Sequence, residues 1–272
     1  MDLNGKVALI TGGGQGIGSV IAQRFIADGA RVCITGRNQA KLDKMAGTFP
    51  PGSVTTCAGD VSKSEDAVRM VEATVSFGGK IDVLVNNAGI DEGGSVVKVD
   101  PELWRKMMET NLTGPFLLMK AAIPHMIRNG GGSIINIASI GGLRCLTGMP
   151  AYASSKAGLI MLTQQVALDY GPYKVRSNVV CPGGVRTAMT EHSLGRLKGT
   201  LNTDLEGVFK VISSNLPLRR FAAPEEITGI CSYLASDDSS FMTGSVLLVD
   251  GGAAVVDVAG ASLASAGVKW GV

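Results

Sequence analysis

Val7-Ala8-Leu9-Ile10-Thr11, followed at once by Gly12-Gly13-Gly14-Gln15-Gly16-Ile17-Gly18, decides how this chain folds. The first five residues are an apolar run fit for a strand buried on both faces, and Ile17, Ile21 and Phe25 then recur at the helical period. The order is strand, glycine turn, helix. Glycines let a backbone turn sharply and approach a pyrophosphate, while the free N–H groups and positive dipole end of the helix attract the anion. The spacing is GxxxGxG and departs from the GxGxxG dinucleotide fingerprint, so this stretch alone leaves a cofactor site and a tight structural turn both open.

Outward from it, apolar runs alternate with helical segments along the whole chain, with strands expected near 6–11, 31–36, 54–58, 81–86, 133–138, 175–181 and 245–250. Such alternation predicts right-handed βαβ units: an α/β fold with a doubly wound, Rossmann-like parallel sheet of about seven strands and helices on both faces. Ligands in these sheets bind beyond the carboxyl ends of the strands, where the glycine turn, Asp60, Asn86, Ser139 and Pro182 all fall. Ser62-Lys63-Ser64-Glu65 has the pattern of a capping box opening the next helix.

One domain over 1–272 accounts for the length, and a 45% hydrophobic content can fill its core. A net charge of +2 from 25 basic and 23 acidic residues, without a block of one sign, argues against a nucleic-acid or membrane footprint. Cys33, Cys57, Cys145, Cys181 and Cys231 are scattered without ligand spacing and read as reduced, buried thiols. No Asp/Glu/His/Cys cluster has metal-ligand spacing, so no metal is expected. The first strand begins too early for a signal peptide, and Asp257 interrupts the apolar tail, so a cytoplasmic protein is expected.

Tyr152-Ala153-Ser154-Ser155-Lys156 places a weak acid and a cation one helical turn apart, on a shared face. A free tyrosine titrates near pH ~10, and bringing it to about 7 takes about 4 kcal/mol, which one unit charge at ~4 Å supplies under an effective dielectric of ~20. By itself the pair is also compatible with a surface tyrosine and a solvated lysine.

Thr11-Gly12-xxx-Gly16-Ile17-Gly18, Asn86-Asn87-Ala88-Gly89, Asn111, Ser139, Tyr152-xxx-Lys156 and Pro182-Gly183-xxx-Thr187 occur in this order, with Ser139 thirteen residues before Tyr152. In these motifs the chain resembles the short-chain dehydrogenase/reductase family from about Lys6 to Gly252. The resemblance implies an oxidoreductase moving hydride between a nicotinamide and a secondary alcohol or ketone. Ser139 would orient the carbonyl oxygen, Tyr152 would act as general acid, and Lys156 would tune the tyrosine and hold the nicotinamide ribose. Asn111 would anchor a water in a proton relay. On the cofactor side it implies Gly12, Gly14, Gln15, Gly16, Ile17 and Gly18 at the pyrophosphate and Asp60 with Val61 at the adenine. Asn87, Ala88 and Gly89 would form the ribose wall, and Pro182, Gly183, Val185 and Thr187 would meet the nicotinamide carboxamide.

Cofactor choice is read at the end of the second strand. Where NAD-binding folds carry a carboxylate, this chain has Thr35-Gly36-Arg37-Asn38. Asn38 is a plausible helix N-cap, which leaves Arg37 free to grip a 2′-phosphate, or else merely solvated. Preference for NADP(H) follows, with NAD(H) possible; Gln15 lacks the second basic residue often found in the family's glycine loop. Pro115 removes an N–H, so the Asn111 carbonyl would be released in a kinked helix able to hold a water. Neither His125 nor His192 is needed by the chemistry.

Residues 188–220 lie where the family places a substrate lid. Leu143, Leu146, Met149, Met189 and Leu194 suggest a partly apolar pocket, with Arg144 and His192 as polar handles. A hydrophobic small-molecule ketone or alcohol is the favoured substrate. The alternatives are a 3-oxoacyl-thioester reductase and a non-catalytic dinucleotide sensor or scaffold on the same fold, though a sensor has no reason to keep Ser139, Tyr152 and Lys156 in register. Family likeness implies a homo-oligomer, dimer or tetramer. The charge-poor tail 253–272, with Trp270, is expected to pack on its own subunit or a neighbour, or else to fray.

Overall fold

The computed structural model describes residues 1–257. Its strands are β1 (Val7–Thr11), β2 (Arg31–Gly36), β3 (Val54–Ala58), β4 (Val83–Asn86), β5 (Gly132–Ile137), β6 (Val175–Pro182) and β7 (Val246–Val249). They form one sheet in the order β3-β2-β1-β4-β5-β6-β7, with every neighbouring pair parallel. The expected doubly wound sheet is present. β4 starts at Val83, and Asp82 just before it still binds β1, its carboxylate taking the Val7 N–H at 2.7 Å.

Ten α-helices fill the connections among the described residues: α1 (Gly16–Ala27), α2 (Gln39–Ala46), α3 (Ser64–Gly78), α4 (Pro101–Met108), α5 (Gly114–Arg128), α6 (Pro150–Tyr170), α7 (Ala188–Gly195), α8 (Lys198–Leu201), α9 (Leu205–Ser213) and α10 (Thr228–Ala235). The two-sided burial of β1 separates them into layers. Ala8 and Ile10 face Ile21 and Phe25 of α1, Leu42 of α2 and Leu234 of α10, whereas Leu9 faces Met70 of α3 and Leu118 of α5. All five β1 side chains are buried, and each large one contributes roughly 1.5–3 kcal/mol through loss of apolar surface to water. An alternating polar pattern could not occupy this central strand.

The sheet order reverses between β1 and β4, which opens a crevice at their carboxyl ends. Thr11 closes the floor of that crevice. Its hydroxyl accepts the N–H groups of Asn87 and Ala88 at 2.9 and 3.0 Å, and its carbonyl accepts the Asn87 side-chain amide at 2.9 Å. The glycine turn is thereby tied to the turn after β4. Gly18 is required by this closeness, since a Cβ there would lie 2.4 Å from the Gly12 oxygen and 2.5 Å from Asn87 Nδ2. Gly18→Ala is expected to cost about 1–3 kcal/mol by overpacking, read as a lower unfolding midpoint together with weaker cofactor binding. An unchanged midpoint would contradict this packing.

Three local expectations are corrected. Ser62 and Glu65 do not form a capping box: α3 starts at Ser64, and the Ser62 hydroxyl instead bonds Asp60 Oδ1 at 2.8 Å, the nearer and charged acceptor. Pro115 does not simply kink a helix. A π turn over Glu109–Thr113 precedes α5, in which the Gly114 N–H reaches the Glu109 carbonyl five residues back, so the ladder widens where the proline has no donor. Cys145 is exposed, because it lies in the loop before α6, while the other four cysteines are buried. Burial pushes the Cys33 and Cys231 thiols up to about 12. Of the tail, Ala253–Val255 form a single 3₁₀ turn; residues 258–272, with Trp270, lie outside the described residues.

Candidate active site

The carboxyl ends of β1 to β6 deliver side chains and backbone to one cavity of about 360 Å³. At the β1 end it is lined by Gly12, Gly14, Gln15, Gly16 and Ile17. Gln15 holds the N-cap position of α1 yet makes no side-chain cap, so the first-turn N–H groups of this twelve-residue helix are left for an anion. Gly18 is buried beneath the turn and packs it rather than lining the cavity. Arg37 and Asn38 lie at the β2 end, and the Asn38 side chain caps α2 by accepting the Lys41 N–H at 3.0 Å, as its position after the strand suggested. Asp60 and Val61 follow β3, with Asp60 Oδ1 occupied by the Ser62 N–H and hydroxyl.

Beyond β5 and β6 the cavity is lined by Ser139, Tyr152, Lys156, Pro182, Gly183, Val185 and Thr187. Ser139 is buried, and its Oγ accepts the Gly141 N–H at 3.0 Å. Tyr152 and Lys156 occupy successive turns of α6, with the lysine Nζ 5.7 Å from the phenol ring centroid. Lys156 is buried and donates to the Ile137 carbonyl at 2.9 Å. Thr187 caps α7 in a reciprocal pair with Thr190, while still facing the cavity.

Asn111, buried in the π turn, uses both ends of its side-chain amide on Ile90. Its Oδ1 accepts the Ile90 N–H and its Nδ2 donates to the Ile90 carbonyl, both at 2.9 Å. Nδ2 also lies 3.2 Å from Ser155 Oγ. A Cβ on Gly89 would stand 3.3 Å from Asn111 Oδ1 and 3.6 Å from Lys156 Nζ, so this glycine lets the asparagine, the lysine and the turn after β4 meet.

The electrostatics differ from the simple pairing of phenol and ammonium. Burial pushes the Tyr152 phenol above its ordinary value, opposed by the Ser139 hydroxyl and reinforced by Asp91. The same burial pulls Lys156 down to about 8, with Cys181 and Asp91 holding it up. Removal of water weakens the charged form of each, and at 5.7 Å from the ring centroid the ammonium does not overcome this for the tyrosine.

A family model described as enoyl-(acyl carrier protein) reductase matches residues 12–254. A trans-4-hydroxycyclohexanecarboxylate dehydrogenase of Sinomonas cyclohexanicum is 42% identical over 91% of this chain and 92% of its own length. An uncharacterized oxidoreductase of Thermotoga maritima is 39% identical over 94% of this chain and all of its own. The solved structure of a levodione reductase superposes with a TM-score of 0.89 at 31% identity, over 93% of this chain and 99% of that one. The chain belongs to the short-chain dehydrogenase/reductase family. As a member it is an NAD(P)-dependent oxidoreductase acting on CH–OH groups, and its Rossmann-like fold provides the NAD(P)(H) site.

Two charged lining residues of this short-chain dehydrogenase/reductase fall outside the sequence motifs. Lys41, in the first turn of α2, donates to Gln15 Oε1 at 2.9 Å and so holds a second cation beside the glycine loop. Its signal was present as the residue four positions after Arg37, on the helix that Asn38 opens. Asp91, two residues beyond Gly89, carries a half-buried carboxylate whose Oδ2 accepts the Ser193 hydroxyl of α7 at 3.0 Å. Nothing in its local pattern distinguished it from a loop aspartate. Conversely, of the apolar and polar residues assigned to the substrate pocket, only Met189 lines this cavity. Leu146 packs over Gly141 instead, and His192 pairs with Arg196 at 3.2 Å. Among the described residues no His/Cys/Asp/Glu group is placed to hold a metal ion, and no helix is long and apolar enough to cross a membrane.

Proposed function

We propose that the chain reduces a partly apolar ketone, and oxidises the matching secondary alcohol, with NADP(H) preferred over NAD(H). The observation that carries this reading is that one cavity collects Arg37 and Lys41 at its β2 end and Ser139, Tyr152 and Lys156 beyond β5. These ends are three strand spacings apart, about 14 Å, a span suited to an extended dinucleotide.

The bound nicotinamide supplies or accepts the hydride. The uncapped start of α1, with Gly14, Gln15 and Gly16, would hold the pyrophosphate, and Asp60 and Val61 the adenine. Asn87, Ala88 and Gly89 would wall the ribose, and Pro182, Gly183, Val185 and Thr187 would face the carboxamide. Ser139 already accepts from Gly141, which leaves its own proton for a carbonyl oxygen. Tyr152 would protonate that oxygen during reduction. Lys156 commits one N–H to Ile137, leaving two for a ribose hydroxyl and the phenol side. Asn111 would fix the wall through Ile90, with the widened turn holding the relay water. The segment 188–220, containing α7, α8 and α9, would act as lid over an apolar substrate, and the relative named for a hydroxycyclohexane supports a cyclic one. The groove lined by Phe116, Met119, Ile123, Leu162 and Tyr170 would seat a second copy in a homo-oligomer, which sedimentation velocity tests.

Titration of both cofactors against one panel of ketones tests this function. Higher efficiency with the phosphorylated cofactor supports it, and cofactor binding with no turnover on any ketone overturns it. The direction of reaction should also follow pH. Reduction needs the neutral phenol, which a raised Tyr152 pKa secures at neutral pH, whereas oxidation needs the phenolate. Oxidation is therefore expected to climb as pH rises into the alkaline range, and reduction to fall as the Tyr152 phenol ionises there. Parallel pH profiles in the two directions would contradict these assignments.

A further inference from the structure

We propose that Asp91 determines specificity, accepting a hydrogen bond from a second hydroxyl of the substrate and disfavouring substrates that carry a carboxylate in its place. The inference deepens the ketone-reductase reading above and rests on it. Asp91 is placed by three restraints. Ile90, immediately before it, is clamped at both its N–H and its carbonyl by Asn111, which keeps the backbone of Asp91 beside the Asn111–Lys156 corner. The Gly94 N–H donates to the Gly148 carbonyl at 2.7 Å, seating this segment against the loop that leads into α6 and Tyr152. From above, Ser193 of α7 donates to Oδ2 at 3.0 Å. Asp91 thus lines the same cavity as Ser139 and Tyr152, held between α7 and the loop that leads into α6.

None of the roles assigned to cofactor binding or proton transfer uses Asp91. Its charge works against alcohol oxidation, because it pushes the Tyr152 phenol further up. It is also costly to hold: burial raises its own pKa and Glu92 adds to the rise, while Ser193, the Asp91 backbone N–H and Arg196 only partly compensate. An ionised carboxylate can accept about four hydrogen bonds, and Ser193 is its one side-chain donor among the described residues. A neutral substrate with a hydroxyl beyond the reacting carbon supplies a further donor. A substrate carboxylate at that position meets a like charge in a site with little water.

Three ketones sharing one ring separate these effects: cyclohexanone, 4-hydroxycyclohexanone and 4-oxocyclohexanecarboxylate, each assayed with NADPH on the wild-type enzyme and on Asp91→Asn. The readout is the ratio of kcat/KM for the hydroxyketone to that for the keto acid, in which any effect of Asp91 on Tyr152 cancels. The wild-type ratio should be about tenfold or more, and Asp91→Asn should reduce it by about tenfold, mainly through a lower KM for the keto acid. A wild-type preference for the keto acid, or a ratio unchanged by the substitution, overturns the proposal while leaving the reductase reading intact. Should none of the three ketones turn over, the reductase reading fails for this class. Calorimetric binding of 1,4-cyclohexanediol and 4-hydroxycyclohexanecarboxylate to both NADP-loaded proteins then decides the role of Asp91. Diol preference lost in Asp91→Asn supports the role, and equal binding to the two proteins overturns it.

Discussion

Tyr152→Phe is expected to lower turnover by about 10²–10⁴-fold in either direction, because it removes the one hydroxyl placed to exchange a proton with the substrate oxygen. The ring itself should stay in place. Phenylalanine keeps the aromatic surface that lines the cavity, and Lys156 remains anchored on the Ile137 carbonyl, so NADPH affinity measured by fluorescence titration should change by less than about threefold. Lys156→Ala is expected to behave differently. It removes a buried ammonium whose two remaining protons are proposed to serve phenol and ribose, so rate and cofactor affinity should fall together. Near-normal turnover in Tyr152→Phe would remove the proposed acid.

The second large effect concerns the phosphate end. Arg37 and Lys41 flank the β2 end of the cavity, and a charge-assisted contact to a phosphate contributes roughly 1.5–3 kcal/mol. Each single alanine variant should lose about one to two decades of efficiency with NADP(H) and almost none with NAD(H). The double variant should lose less than the product of the two, since in the proposed site both cations would address one phosphate. Gly36→Asp should move preference further towards NAD(H), because it adds a carboxylate suited to a ribose diol and repels the phosphate. The backbone has room for it: a Cβ at Gly36 would meet only Leu42, at 3.7 Å. Equal losses with both cofactors would place these cations elsewhere in binding.

The parallel sheet was legible because β1 and its neighbours are buried on both faces, and two-sided burial leaves an uninterrupted apolar run that no surface element shares. The positions of Ser139, Tyr152 and Lys156 were legible for a related reason: each is fixed by a strand end or by helical period, and both are local properties of sequence. What failed was decided by competition between nearby polar groups. Ser62 could cap a helix or bond Asp60, and the charged acceptor won. The phenol was expected to be lowered by its lysine, yet both groups are buried deeply enough for desolvation to set the direction of each. Asp91 became visible only when α7 was brought over it, and Lys41, though one turn after Arg37, met the glycine loop only in the folded chain, through Ser193 and Gln15, contacts separated by 102 and 26 residues. No local pattern encodes such pairs. The 143–149 loop differs: Leu143 and Leu146 stay exposed, with Leu146 touching Gly141, so apolar character alone did not bring them into the cavity.

The most direct test of the central claim, that this cavity moves a hydride between nicotinamide and a carbonyl carbon with Tyr152 supplying the proton, is isotopic. The enzyme is given NADPH deuterated at the transferable position of the nicotinamide, together with a cyclic ketone, and the alcohol formed is analysed by mass spectrometry and NMR. Deuterium is expected on the carbinol carbon, with a solvent-derived proton on its oxygen and loss of labelled product in Tyr152→Phe. Tight NADPH binding with the label retained on the cofactor, or labelled alcohol formed at an undiminished rate by Tyr152→Phe, would contradict that claim.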